Sequence, residues 1–186
     1  MKVERRPAAT LYPVPVVLVT SADQDGKTNI ITIAWTGVAC SQPPMVTIAI
    51  RPNRYSHELI SRSRELVVNI PTADQLKMVD YCGMVSGRDV DKFRGTGFTP
   101  LPASRVGPPL IKECPVNLEC VVRHILPLGS HDLFVAEIVA SHADEEVLDE
   151  NGRVDPKRAR PLAYSSQQKY WSVGMDIGTY GISRKN

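Results

Sequence analysis

Strands joined by tight turns dominate the pattern of this chain, and they limit it to an antiparallel architecture. Val14–Thr20 is rich in β-branched residues and reads as a strand. SADQDGKT follows with Asp25-Gly26 at its tip, and Asn29–Val38 returns, which together make a hairpin signal. Met45–Ile50 is a third strand after the Pro43-Pro44 break, and Leu66–Ile70 is a fourth. Val116–Leu126 and Leu133–Ser141, joined by the PLGSHD turn, form a second hairpin. Helical signals are fewer. Ser56 is placed to cap a short helix, HELISRS, with Glu58 in its first turn. Thr72 is placed to cap ADQLKMVDYCG, with Leu76, Met78 and Val79 as an apolar stripe and Gly83 as the stop. Asp155-Pro156-Lys157 starts a further short helix with proline at N1. The pattern predicts a mainly β fold, a closed Greek-key antiparallel barrel with peripheral helices, rather than a doubly wound sheet.

Composition narrows the function classes. The 186 residues suit a single domain spanning 1–186, long enough to bury ~70% of its unfolded surface without disulfides or metals. A net charge of +2 without a Lys/Arg run argues against nucleic acid. The charged start, MKVERRPAAT, has no secretory apolar region, and the longest apolar run, VPVVLV, is far short of a membrane span. Cys40, Cys82, Cys114 and Cys120 have no CxxC spacing, so small hydrophobes in a reducing cytoplasm are expected, and no metal site. There is no Walker loop and no GxGxxG, which sets aside a Rossmann cofactor domain.

Several stretches could carry chemistry. In TNIITIAWTGVACSQPP, residues 28–44, the strand thins to Thr32, Ala34, Thr36 and Gly37 around Trp35. Small side chains let a flat ligand approach the backbone, with Thr32, Thr36 and Ser41 as hydroxyl donors; a barrel corner needs small residues too. In RPNRYSHEL, Arg51 and Arg54 precede a helix start, which makes a phosphate pocket or a solvated turn with an ordinary cap. Lys92, in the long Gly- and Pro-rich stretch 84–113, could place a positive charge near an electron-rich ring or lie on the surface. His131 at a hairpin turn could donate a proton or be solvated. His57, His124 and His142 take no role.

These pieces occur together in a familiar order. TNIITIAW, the S-x-P-P of Ser41–Pro44, R-P-N-R-Y-S, SGRDVDKF at 86–93, NLEC at 117–120, GSHDLFVAEI at 129–138 and the late PLAY resemble the flavin reductase-like family of FMN-binding split β-barrels, and within it the flavoredoxin type, over about Pro13 to Tyr170. The resemblance implies a homodimer with FMN held near the subunit boundary. It implies that Asn29, Thr32, Ala34 and Trp35 line the flavin ring and ribityl chain, that Ser41 contacts the same ligand, and that Arg51, Arg54 and Ser56 hold the phosphate. It puts Lys92, His131 and Tyr164 around the isoalloxazine, with Lys92 and His131 as the catalytic pair that stabilises charge on the reduced ring. The flavoredoxin-like reading is an oxidoreductase that transfers electrons through FMN. The alternatives are an NAD(P)H:flavin reductase supplying a monooxygenase, and a flavin-binding protein without turnover. The electron donor, NAD(P)H or a redox protein, stays open.

Overall fold

The computed structural model describes residues 1–165 and 167–184. Its strands are β1 (Val14–Pro15), β2 (Val17–Ala22), β3 (Thr28–Ile33), β4 (Thr36–Ser41), β5 (Pro44–Ile50), β6 (Glu65–Ile70), β7 (Pro100–Leu101), β8 (Leu110–Ile111), β9 (Val116–Pro127), β10 (Asp132–Ala143), β11 (Leu162–Ser165) and β12 (Lys169–Ser172). The helices are α1 (Tyr55–Ser63), α2 (Leu76–Met84), α3 (Lys92–Thr96) and α4 (Pro156–Ala159). The fold is mainly β. Seven strands make one antiparallel sheet in the order β3-β2-β6-β9-β10-β5-β4, and β1, β11 and β12 make a small second sheet. Both hairpins expected from the sequence, β2–β3 and β9–β10, are present.

The sheet's two outermost strands, β3 and β4, are consecutive in the chain and only Ala34 and Trp35 separate them. The sheet therefore curls until the end of β3 reaches the start of β4, and the Ala49 N–H donates to the Trp35 carbonyl at 2.9 Å, which carries the β4–β5 ladder up to that break. The single strand expected over Asn29–Val38 is thus two strands, broken where the small residues let the backbone turn. Inside the curl, Val17, Val19, Ile33, Ile48 and Phe134 pack with Ile60 of α1. Outside it, Leu18 and Ile30 pack against Val79 and Cys82 of α2 and Phe93 of α3. Because β2 is buried on both faces, its first half, Val17–Val19, is apolar throughout instead of alternating, and its buried Thr20 and Ser21 follow.

Three local expectations are corrected. Arg54, not Ser56, is the N-cap of α1, and no side chain caps that end. Gly83 lies inside α2 rather than ending it: a Cβ there would meet the Thr32 Cβ at 3.4 Å, so the glycine lets the helix sit close on β3. The buried face of α2 is Val79 and Cys82, and Leu76 is exposed. The long 84–113 stretch folds back on its own sheet. Asp91 caps α3 by accepting from the Arg94 N–H at 3.1 Å, and Phe93, Phe98, Val106, Leu110 and Ile111 are buried. Among the described residues, no helix is long and apolar enough to cross a membrane.

Candidate functional site

A cavity of about 390 Å³ opens where β3, the Ala34-Trp35 break, the start of α1, the end of α2 and the loop into α3 converge. Each wall has a local cause. The side chains of β3 alternate, so Asn29 and Ile31 face one way while Ile30 and Thr32 face α2. The turn after β5 carries Arg51 and Arg54 to the N-terminus of α1, and the β9–β10 turn brings His131 beside Trp35, ring centroids 4.4 Å apart.

Nine of the residues singled out in the sequence line this cavity: Asn29, Thr32, Ala34, Trp35 and Arg51 from the strands and their ends, and Arg54, Ser56, Lys92 and His131 from the helices and the hairpin. Ser41 and Tyr164 do not. Ser41 ends the exposed strand β4, and Tyr164 lies on β11, where its ring meets Tyr170 at 5.1 Å. Nor is Thr36 on the wall. The Thr32 hydroxyl is already committed, donating to the Val79 carbonyl at 2.5 Å. Ser56 is buried in the first turn of α1, and its hydroxyl accepts from the Asn29 side-chain amide at 2.7 Å.

The first turn of α1 presents N–H groups that no side chain caps, and such a turn favours an anion. Arg51, Arg54, Arg88 and Lys92 add positive charge, and no carboxylate side chain lines the cavity. Arg51 and Arg54 form no ion pair among the described residues. Asn29 is 3% exposed, and its Oδ1 has no hydrogen-bond partner among them. A buried acceptor left open at a cavity wall calls for a donor from a ligand. Gly87 lies directly over it, since a Cβ there would stand 2.0 Å from that oxygen.

Lys92 is not a surface lysine. It is 5% exposed, and its Nζ donates to the carbonyls of Ile30 and Cys82, both at 2.7 Å. Burial, with the Arg54 charge adding to it, holds its pKa down to about 8, although the nearby Cys82 works the other way. Burial lowers the pKa of His131, and so do the charges of Arg51 and Arg54. Both effects favour the neutral ring, which has one N–H to give. Cys82 also reaches the cavity, but burial pushes its thiol up to about 11, so it stays protonated and inert.

Arg88 and Gly87 went unmarked as single residues, although both stand in SGRDVDKF. The contacts of a loop glycine have no sequence signature, and an arginine in such a loop looks solvated. His57 also has a partner that its position did not reveal. Its Nε2 lies 2.8 Å from Asp132 Oδ2, tying α1 to the start of β10.

Residues 9–172 match the family model described as the flavin reductase like domain. An uncharacterised protein of Archaeoglobus fulgidus is 37% identical over 135 residues, 72% of this chain and 75% of that one. The structure is similar to flavoredoxin of Desulfovibrio vulgaris, with a TM-score of 0.93, 30% identity and 100% of each chain covered. It is also similar to flavoredoxin from Methanosarcina acetivorans, with a TM-score of 0.91, 32% identity and the same full coverage.

Proposed function

The chain belongs to the flavin reductase like domain family, and from that premise we propose that it is an oxidoreductase that passes electrons through a non-covalently bound FMN, in the manner of the flavoredoxins it resembles. The observation that carries this is the anion-binding end of the cavity. Among the described residues, an uncapped helix start, two arginines without ion pairs and the buried Ser56 converge beside an Asn29 acceptor left open. One such end suits a single phosphomonoester, and the cavity volume lies within the usual range of about 300–1,000 Å³ for small-molecule sites.

A bound flavin would supply reversible two-electron chemistry. The chain's residues would bind and tune it. Arg51, Arg54 and Ser56 hold the phosphate, and Asn29 Oδ1 accepts from a hydroxyl of the ribityl chain. Ala34 and Trp35 flank the ring, whose approach the small side chain at the strand break permits. His131 stays neutral beside two arginines, so it orients by hydrogen bonding without adding charge. Lys92 is pinned by two carbonyls, which fixes where its positive charge sits; near the ring, that charge favours the reduced form. Ser41 and Tyr164 would reach a flavin only beyond the walls of this cavity.

A homodimer belongs to the same reading. The terminal arms leave Tyr12, Trp171, Val173, Met175 and Ile177 exposed, more apolar surface than one chain covers. Purified protein should be yellow and release FMN rather than FAD on denaturation. It should also be reduced by a redox protein faster than by NAD(P)H. Colourless protein that takes up no FMN would overturn the proposal, and rapid NAD(P)H turnover with added flavin would move it to the flavin reductases.

A further inference from the structure

Arg88 lies in the loop between α2 and α3, where it lines the cavity and its guanidinium reaches the start of α1. One nitrogen donates to the Asn53 carbonyl at 3.2 Å, another meets Glu58 Oε2 at 3.1 Å, and the guanidinium carbon stands 5.1 Å from the centre of the Tyr55 ring. Asn53, Tyr55 and Glu58 all belong to the turn before α1 or to its first turn. One side chain thus fastens the 85–91 loop across the anion-binding helix start. The fastening has a steric counterpart in Gly87, which has no room to move toward Asn29. The carboxylate of Glu58 looks misplaced for an anion site: it lies in the helical turn that binds the anion, where a negative charge repels one.

We propose that Glu58 and Arg88 are a positioning pair that latches the 85–91 loop over the phosphate end of the cavity and slows the departure of the anionic ligand. Glu58 does not itself line the cavity and acts through Arg88, which does. Its other oxygen pairs with Arg62 at 3.1 Å on the solvent side, which supplies an internal control. This inference rests on the FMN reading above.

The test turns on opposite signs. If Glu58 acts only as a charge, Glu58→Gln removes a repulsion, and FMN binds more tightly with unchanged or slower dissociation. If Glu58 is the latch, Glu58→Gln loosens the loop, and FMN leaves faster. Roughly twofold to fivefold is expected, the range of a partly exposed ion pair. The association rate should change little, and Arg62→Gln should leave dissociation as in the wild type. Stopped-flow measurement of FMN release reads this directly. Hydrogen exchange on ligand-free protein gives the second readout: Glu58→Gln should speed exchange of the 85–91 amides while those of β9 and β10 stay as in the wild type. Wild-type protein that takes up no FMN would overturn the functional reading; unchanged loop exchange in Glu58→Gln would still overturn the latch. Slower or unchanged FMN release from Glu58→Gln would overturn the latch alone.

Discussion

Replacing Lys92 by methionine keeps the length of the side chain and removes its titration, which makes the energetic cost of the buried ammonium measurable. The folded protein holds this lysine at about 8 against an ordinary 10.5, burial being the largest cause. Below pH 8 the side chain is charged in both folded and unfolded chains, and the full penalty is present. Between 8 and 10.5 the folded protein releases its proton first, so the unfolded state binds more protons and stability rises with pH. At 1.36 kcal/mol per pKa unit, the gain between pH 7 and pH 9.5 is about 2 kcal/mol, approaching about 3.4 kcal/mol above pH 10.5. Urea unfolding of ligand-free wild type and Lys92→Met at both pH values measures it. Groups that titrate alike in the two proteins cancel in the comparison, and Cys82→Ala in both backgrounds removes the neighbouring thiol whose titration the Lys92 charge alters. Wild type should gain about 2 kcal/mol relative to the mutant. Equal pH dependence in the two proteins would show that Lys92 is not held neutral-leaning by its surroundings, and the account of its buried charge would fall. A saturating anionic ligand should shrink the gain, because an anion in the cavity raises the folded pKa.

The combined substitutions Arg54→Ala and Ser56→Ala remove one charge-assisted contact and one hydroxyl. At ~1.5–3 kcal/mol for the charged hydrogen bond, FMN affinity should fall at least tenfold by fluorescence titration while riboflavin affinity moves little; an unchanged FMN affinity would displace the phosphate site. Gly87→Ala puts a methyl 2.0 Å from Asn29 Oδ1, so the loop must shift; a loss of about 1–3 kcal/mol by thermal unfolding is expected, and a neutral substitution would mean the loop is free. Sedimentation at micromolar concentration should give about twice the 20.5 kDa chain mass, and a clean monomer that binds FMN would remove the dimer from the reading.

Much of this was legible in the sequence because each signal was local. The hairpins β2–β3 and β9–β10 followed from β-branched runs around turns, and the placing of Arg51 and Arg54 at the start of α1 followed from spacing alone. Other features were set by partners distant in the chain. Ser56 is a good cap residue by type, but Asn29 claims its hydroxyl, and the cap falls two residues earlier, at Arg54. Gly83 resembles a helix stop, yet its reason is Thr32, across the packing of α2 on β3. Lys92 could be read as buried or exposed, because the two carbonyls that anchor it come from β3 and α2 and no local pattern names them. The break at Ala34-Trp35 was visible as a thinning of side chains. That it is where the sheet's edges meet follows only from the full strand order.

That seam also has a kinetic consequence. Three hairpins, β2–β3, β4–β5 and β9–β10, can form from neighbouring residues. The ladders that join them are distant: β2 with β6, β6 with β9, and β5 with β10, where Ile50 meets Asp132. Long-range pairing of this kind makes folding slow and leaves strand edges open in the meantime. The cavity draws its walls from both sides of the last join, with Ile50 and Arg51 on one margin and His131 on the other. A ligand can recognise only a chain that has completed the join, so its supply would pull the population toward the finished state by mass action. Newly made chains starved of that ligand would linger with their edges exposed, and the shortage would show as lost soluble protein before it showed as lost turnover.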